Sequence, residues 1–266
     1  MVIRAGRKWL HLLGGIAVFF FSGGAPRASA QDASRTWLLI ISGASGEPRF
    51  ATEFASLGAA FRDAATQRFG IADSMAIWLA EDPSRDVKRI AGKSTRGLID
   101  TTLGRVAAAS HATDRVFILL LGHGSSQGGV SRFNVPGPDL TDADFRMLLD
   151  RFATQTVVFV NATSASGEFV KTLRGKNRIV LAATKSGAEA NEAIFGRYFV
   201  RAYTAEGADV DKDGRVSLLE AFQFAHREVQ RDYEQGNRLL TEHAVLDDDG
   251  DGQGRGDPGP NGPDGI

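Results

Sequence analysis

The chain has 266 residues, 42% of them hydrophobic and 24% charged, an ordinary globular balance that excludes wholesale disorder and suffices for one large core or two small ones. Thirty-one Lys and Arg stand against 32 Asp and Glu, a formal net charge of -1, so there is no strongly basic surface to hold a nucleic-acid backbone. Cysteine is absent, which excludes disulfides, Cys-ligated zinc, iron–sulfur clusters and a catalytic thiol.

The first thirty residues have the layout of a signal peptide. Arg4, Arg7 and Lys8 form a positive start, Trp9 to Phe21 an apolar stretch, and Ala28-Ser29-Ala30 a small-residue cleavage site before Gln31. The apolar stretch is too short to span a membrane, and no later stretch is long and apolar enough to do so. The expected product is exported, periplasmic or extracellular, with no stable membrane insertion after cleavage. Residues 1–30 hold four of the 31 basic side chains and none of the acidic ones, so the remainder carries 27 against 32, a net of -5.

Five apolar runs of strand length follow: Trp37–Ser42, Met75–Leu79, Val116–Leu121, Thr156–Val160 and Arg178–Ala183. Between them lie helical stripes such as Phe50, Phe54, Leu57 and Phe61, and more loosely Leu98, Leu103 and Val106. Strands alternating with helices predict a doubly wound α/β sandwich whose mainly parallel sheet is covered on both faces. Ligands in such sheets gather beyond the carboxyl ends of the strands, which points to the loops Ser42–Pro48, Gly122–Gly129 and Asn161–Gly167.

Beyond the sheet, Asn191–Tyr203 and Leu218–Leu240 read as amphipathic helices around an aspartate-rich loop. The twelve residues from Asp209 to Glu220 fit an EF-hand calcium loop without a gap. Asp209, Asp211 and Asp213 supply carboxylates, Gly214 the sharp turn, Arg215 its carbonyl, Ser217 a direct or water-mediated ligand, and Glu220 two oxygens. Ser217 and Glu220 also satisfy a helix capping box, and the two roles are compatible. Asp247, Asp249, Asp251 and Gly252 repeat the first half of the spacing, but Pro258 stands where the last ligand belongs. With six Asp, seven Gly and three Pro, residues 247–266 are expected to form a solvated acidic tail unless metal orders them.

The third strand runs into Gly122-His123-Gly124 and the fourth into Asn161-Ala162-Thr163-Ser164-Ala165-Ser166-Gly167. This arrangement resembles the caspase-like peptidases and, among them, the legumain family. There a hydrophobic strand ends in a His-Gly bearing the catalytic base, and the next ends in Glu-Ala-Cys-Glu-Ser-Gly or similar. The resemblance covers about Trp37 to Tyr203. It implies a caspase-like three-layer sandwich and gives His123 the place of the catalytic histidine. Thr163 stands where the family has cysteine, Asn161 where it has an acidic residue, and Ser45 where relatives carry an Asn after the first strand. Independently of that likeness, Asn161, Thr163, Ser164 and Ser166 suit a polar cap on the helix containing Phe169 and Leu173. His111, His226 and His243 have no metal-ligand spacing and read as surface or packing residues.

The expected organisation is a signal peptide over 1–30, a caspase/legumain-like domain over 31–205, a calcium loop with its helix over 206–246, and a tail over 247–266. Function divides between a non-catalytic relative that binds a peptide or protein and a hydrolase using His123 with Thr163 or Ser164 as nucleophile. A nucleotide-binding domain built on Gly43-Ala44-Ser45-Gly46 lacks both the G-x-G-x-x-G pattern and a Walker lysine, and G-x-S-x-G is absent throughout.

Overall fold

A computed structural model describes residues 34–259, so the predicted signal peptide lies outside the described residues. Four of the five predicted strands lie side by side at the centre of a seven-stranded sheet. They are β1 (Thr36–Ser42), β4 (Arg115–Leu121), β8 (Thr156–Asn161) and β9 (Arg178–Ala182). The fifth, β2 (Ala76–Ala80), flanks β1 and is followed by β3 (Ile90–Lys93). The order is β10-β9-β8-β4-β1-β2-β3, parallel throughout except for β10 (Val245–Asp247), which runs antiparallel to β9. A small antiparallel sheet, β5 (Gly124–Gln127), β6 (Val130–Phe133) and β7 (Leu140–Thr141), grows directly from the histidine loop.

Helices cover both faces, which is why the strands are apolar in almost every position rather than in every second one. On one face α1 (Pro48–Gln67), α5 (Phe195–Thr204) and α6 (Leu218–Gln235) pack Phe61, Phe195, Phe199 and Phe222 against Leu38, Ile40, Leu119 and Val160. On the other, α2 (Arg96–Ala109), α3 (Asp142–Leu149) and α4 (Glu168–Leu173) pack Ile99, Leu103, Phe145 and Phe169 against Leu39, Ile41, Ile118 and Phe159. Each such buried side chain contributes roughly 1.5–3 kcal/mol of burial. Local sequence sets the helix starts: Pro48 opens α1, Thr95 caps α2, and capping boxes at Thr141/Asp144 and Ser217/Glu220 open α3 and α6.

The C-terminal part departs from the expected layout. The helix predicted from Asn191 begins at Phe195, because the buried Glu242 carboxylate accepts the Ile194 and Phe195 amides at 2.9 and 2.8 Å. Burial pushes the Glu242 carboxyl up to about 7, against the opposing pull of those two amides. The helix predicted to reach Leu240 stops at Gln235, where Gly236 caps it. The acidic tail is folded over its first thirteen residues. Asp247 belongs to β10 and is fully buried, its two oxygens accepting the Gly250 and Gly252 amides at 2.7 and 2.8 Å, and Leu246 pairs with Arg255 in an antiparallel bridge. Glycine at 250 and 252, with φ near 80°, makes that reversal possible. The boundary expected at 246/247 therefore falls inside a strand. The one expected at 205/206 is only the bend leaving α5, since the described residues 34–259 form one unit. Among the described residues no helix is long and apolar enough to cross a membrane.

Candidate active site and metal loops

The carboxyl ends of β1, β2, β4 and β8 bring together the loops singled out in the sequence. His123 follows β4. Its ring lies edge-on to Phe50, centroids 4.4 Å apart, and to Phe54 at 5.3 Å, both from the first turns of α1. Its Nε2 is 3.2 Å from the Ser45 carbonyl oxygen. A carbonyl only accepts, so in the neutral ring this contact puts the proton on Nε2 and leaves the Nδ1 lone pair free. Ser45 is fixed in turn, because its amide and hydroxyl both donate to Glu81 Oε2, at 3.0 and 2.5 Å. A carboxylate at the end of β2 thus anchors the residue that orients the histidine.

Sequence reasoning missed both supports. No acidic residue lies near His123 in the chain, and a backbone carbonyl leaves no residue signature. Only the position of Glu81, immediately after a strand on the ligand-bearing edge, was a usable signal.

The loop after β8 packs against the residue following His123. A Cβ on Gly124 would lie 2.1 Å from the Ser164 carbonyl oxygen and 2.6 Å from Thr163 Oγ1, so glycine is required there. The hydroxyls nonetheless engage elsewhere. Thr163 is fully buried and donates to Asn161 Oδ1 at 2.7 Å, an oxygen that also accepts the Thr163 amide. Ser164 Oγ donates to the Gly124 carbonyl at 3.1 Å. Neither hydroxyl is hydrogen-bonded to His123.

Each remaining position of the loop is held. Ala165 has φ 51°, costly for a residue with a side chain, and its amide donates to Glu189 O while its carbonyl accepts Ser131 Oγ at 2.6 Å. Ser166 pairs with Thr184. The predicted polar helix cap is not what forms. Gly167 is the N-cap of α4 with no side-chain bond, and Asn161 closes a turn upon Thr163 instead. Asn161 Nδ2 is buried without a hydrogen-bond partner.

His243 is not a bystander: its Nδ1 is 2.5 Å from Glu189 Oε1, tying the segment that covers the loop to the irregular stretch leading into β10. His226 is half-buried on α6, and burial holds its pKa below the usual histidine value.

In the first aspartate loop, carboxylate oxygens of Asp209, Asp211 and Asp213 lie within 4.8 Å of one another. Gly214, with φ 84°, donates its amide to Asp209 Oδ2 at 3.0 Å, while Asp209 Oδ1 is buried and has no partner. Ser217 stands at the start of α6. Glu220 Oε1 accepts the Val210 amide at 2.7 Å, and Oε2 accepts the Ser217 amide and hydroxyl at 2.8 Å each. Burial works to raise the Glu220 pKa, but these bonds outweigh it and the carboxyl stays below its ordinary value. An orphaned buried oxygen beside two converging carboxylates suits a hard cation held by oxygen ligands, while both oxygens of Glu220 are engaged by the loop's own amides and the Ser217 hydroxyl. The helix–loop–helix is interrupted, however, for α5 ends at Thr204 and a turn over 205–208 precedes Asp209. Asp247, Asp249 and Asp251 form a second cluster of the same spacing.

A histidine oriented by a carbonyl at the end of one parallel strand thus lies beside a polar loop at the end of the next in an α/β sandwich. The Peptidase C13 family profile matches residues 90–245, from β3 to the first residue of β10, and the chain belongs to that family. No curated protein sequence matches. Similar solved structures include drICE (10% identity, TM-score 0.45, covering 77% of this chain and 87% of that one). The Drosophila initiator caspase Dronc is also similar (10%, 0.46, 90% and 92%). A third is a secreted C11 cysteine protease from Bacteroides thetaiotaomicron (12%, 0.42, 80% and 66%).

Proposed function

We propose that this member of the peptidase family is an exported, calcium-stabilised protein that does not cleave peptide bonds and instead binds a peptide or protein at the His123 edge of the sheet. The observation that carries the reading is the fate of the nucleophile position. The chain has no cysteine, and Thr163 Oγ1 is buried and committed to Asn161 rather than to His123. A hydroxyl needs a base within hydrogen-bond reach to act as a nucleophile, whereas a thiolate is partly ionised already. His123 has an orienting carbonyl, which suits a polar anchor for a bound chain.

Calcium at Asp209, Asp211, Asp213, Arg215, Ser217 and Glu220 serves structure in this reading, holding the turn between α5 and α6. Export rests on the N-terminal segment, and the loop's ligand set suits the calcium-rich conditions outside the cytoplasm.

Incubation of the purified protein with a mixed fluorogenic peptide library, beside His123→Ala and Thr163→Ala, tests the reading. All three are expected to be equally silent. Turnover by the parent that disappears in both variants would overturn it in favour of a hydroxyl-nucleophile peptidase.

A further inference from the structure

At the opposite edge of the sheet from His123, the strands begin over a cavity that the peptidase reading leaves unused. Two rows of side chains cross the sheet there in register: Thr36, Arg115 and Thr156, then Leu38, Phe117, Val158 and Ile179. One step further along the strands, Ile40, Leu119, Val160 and Leu181 are all 0% exposed, roofed by α5 and α6. Phe117, Val158 and Ile179 keep part of their surface.

The result is an apolar cavity of about 440 Å³, within the range of small-molecule sites. Phe61 from α1, Phe69 just beyond it, Tyr203 from α5 and Val216–Leu218 complete the lining. Phe61 and Phe69 each meet the Tyr203 ring edge-on, at 5.3 and 5.8 Å.

Arg115 is the only charged residue lining the cavity among the described residues. Among the described residues its exposed guanidinium has no hydrogen-bond or ion-pair partner, whereas Arg35, its sequence-distant neighbour across the sheet, is held by the buried Asp114. The other polar lining side chains are three hydroxyls and a phenol, from Thr36, Thr156, Ser217 and Tyr203. A peptide laid in this cavity would find too few partners for its own amides and carbonyls. A hydrocarbon chain has no such need, and an anionic head satisfies the single cation.

We propose that this cavity binds one aliphatic monocarboxylate from solution, its chain over Phe117, Val158 and Ile179 and its carboxylate on Arg115.

Isothermal titration of the purified protein with dodecanoate below its micelle concentration tests the proposal, with dodecanol as the uncharged probe. The expected result is saturable 1:1 binding that weakens about tenfold or more in Arg115→Ala and for dodecanol, the loss of a charge-assisted hydrogen bond. Thr156→Glu, at a half-buried position beside Arg115 in the outermost row, should repel the ligand similarly while leaving the circular dichroism spectrum unchanged. Absence of saturable binding, or binding indifferent to both variants and to the head group, would overturn the proposal. So would a protein that sediments with anionic phosphatidylglycerol vesicles yet ignores monomeric dodecanoate, which would point to a membrane surface, or a dimer that dodecanoate does not dissociate, which would make a second copy the occupant.

Discussion

Replacing Asp209 by Asn tests the proposed calcium loop with little collateral damage. The amide oxygen of Asn can still accept the Gly214 amide now bound at 3.0 Å, so the turn survives, while the charge and the orphaned second oxygen are lost. A cation that binds only the folded state stabilises it by RT ln(1 + [L]/Kd). Extracellular calcium modules bind with Kd of about 0.1–1 mM, so 10 mM calcium gives a ratio of about 10–100 and a gain of about 1.4–2.7 kcal/mol. At about 2–4 °C per kcal/mol for a domain of this size, the melting temperature should rise by roughly 3–10 °C. Scanning calorimetry in EDTA and in 10 mM calcium should show that rise for the parent and none for Asp209→Asn, with the two melting together in EDTA. Equal calcium responses would refute the assignment of the cation to this loop. A calcium response that survives in Asp209→Asn but disappears in Asp249→Asn would place the cation in the second loop instead.

Two further outcomes follow from buried groups. Glu242 titrates near 7 when folded and near 4.5 when unfolded, so its contribution is fully present below about pH 4.5 and is lost as pH rises through 7. Glu242→Gln gives up one amide bond but cannot ionise; the parent's advantage over it at pH 5 should shrink by about 2–3 kcal/mol by pH 8, measured by urea denaturation in EDTA, and a constant gap would contradict the raised pKa. Gly124→Ala places a methyl 2.1 Å from the Ser164 carbonyl, a backbone atom that a rotamer change cannot move, and should cost about 1–3 kcal/mol in urea with an unchanged slope. A cost below about 0.5 kcal/mol would mean that the two loops are not in contact.

The buried strands were legible because a sheet covered on both faces leaves near-continuous apolar runs, and all five appear within one or two residues of their expected ends. What escaped lies at edges and in polar segments. Ile90-Ala91-Gly92-Lys93 is too short and mixed to signal β3, and the Gly- and Ser-rich β5 is held by pairing with β6 rather than by burial of its own side chains. β10 was hidden for a different reason. Its buried Asp247 is satisfied by two glycine amides of its own turn, so an acidic run that reads as a solvated tail instead closes on itself. At the candidate site, the placement of His123 was readable from its glycine-flanked strand end. The orientation of Thr163 depends on a rotamer fixed by Asn161, and Ser45 acts through its backbone carbonyl, so neither has a signature in residue type.

The strand order carries a consequence for how the chain is assembled. Starting from β1, each later strand of the main sheet joins at an edge that is open when it arrives: β2 and β3 extend one side, then β4, β8, β9 and β10 extend the other. No strand has to be threaded between two already paired. A polypeptide emerging N-terminus first can therefore lay down its sheet in the order of synthesis: β10 covers the edge of β9, and β10 is itself bridged at Leu246 once the chain has turned back beyond Asp247 as far as Arg255.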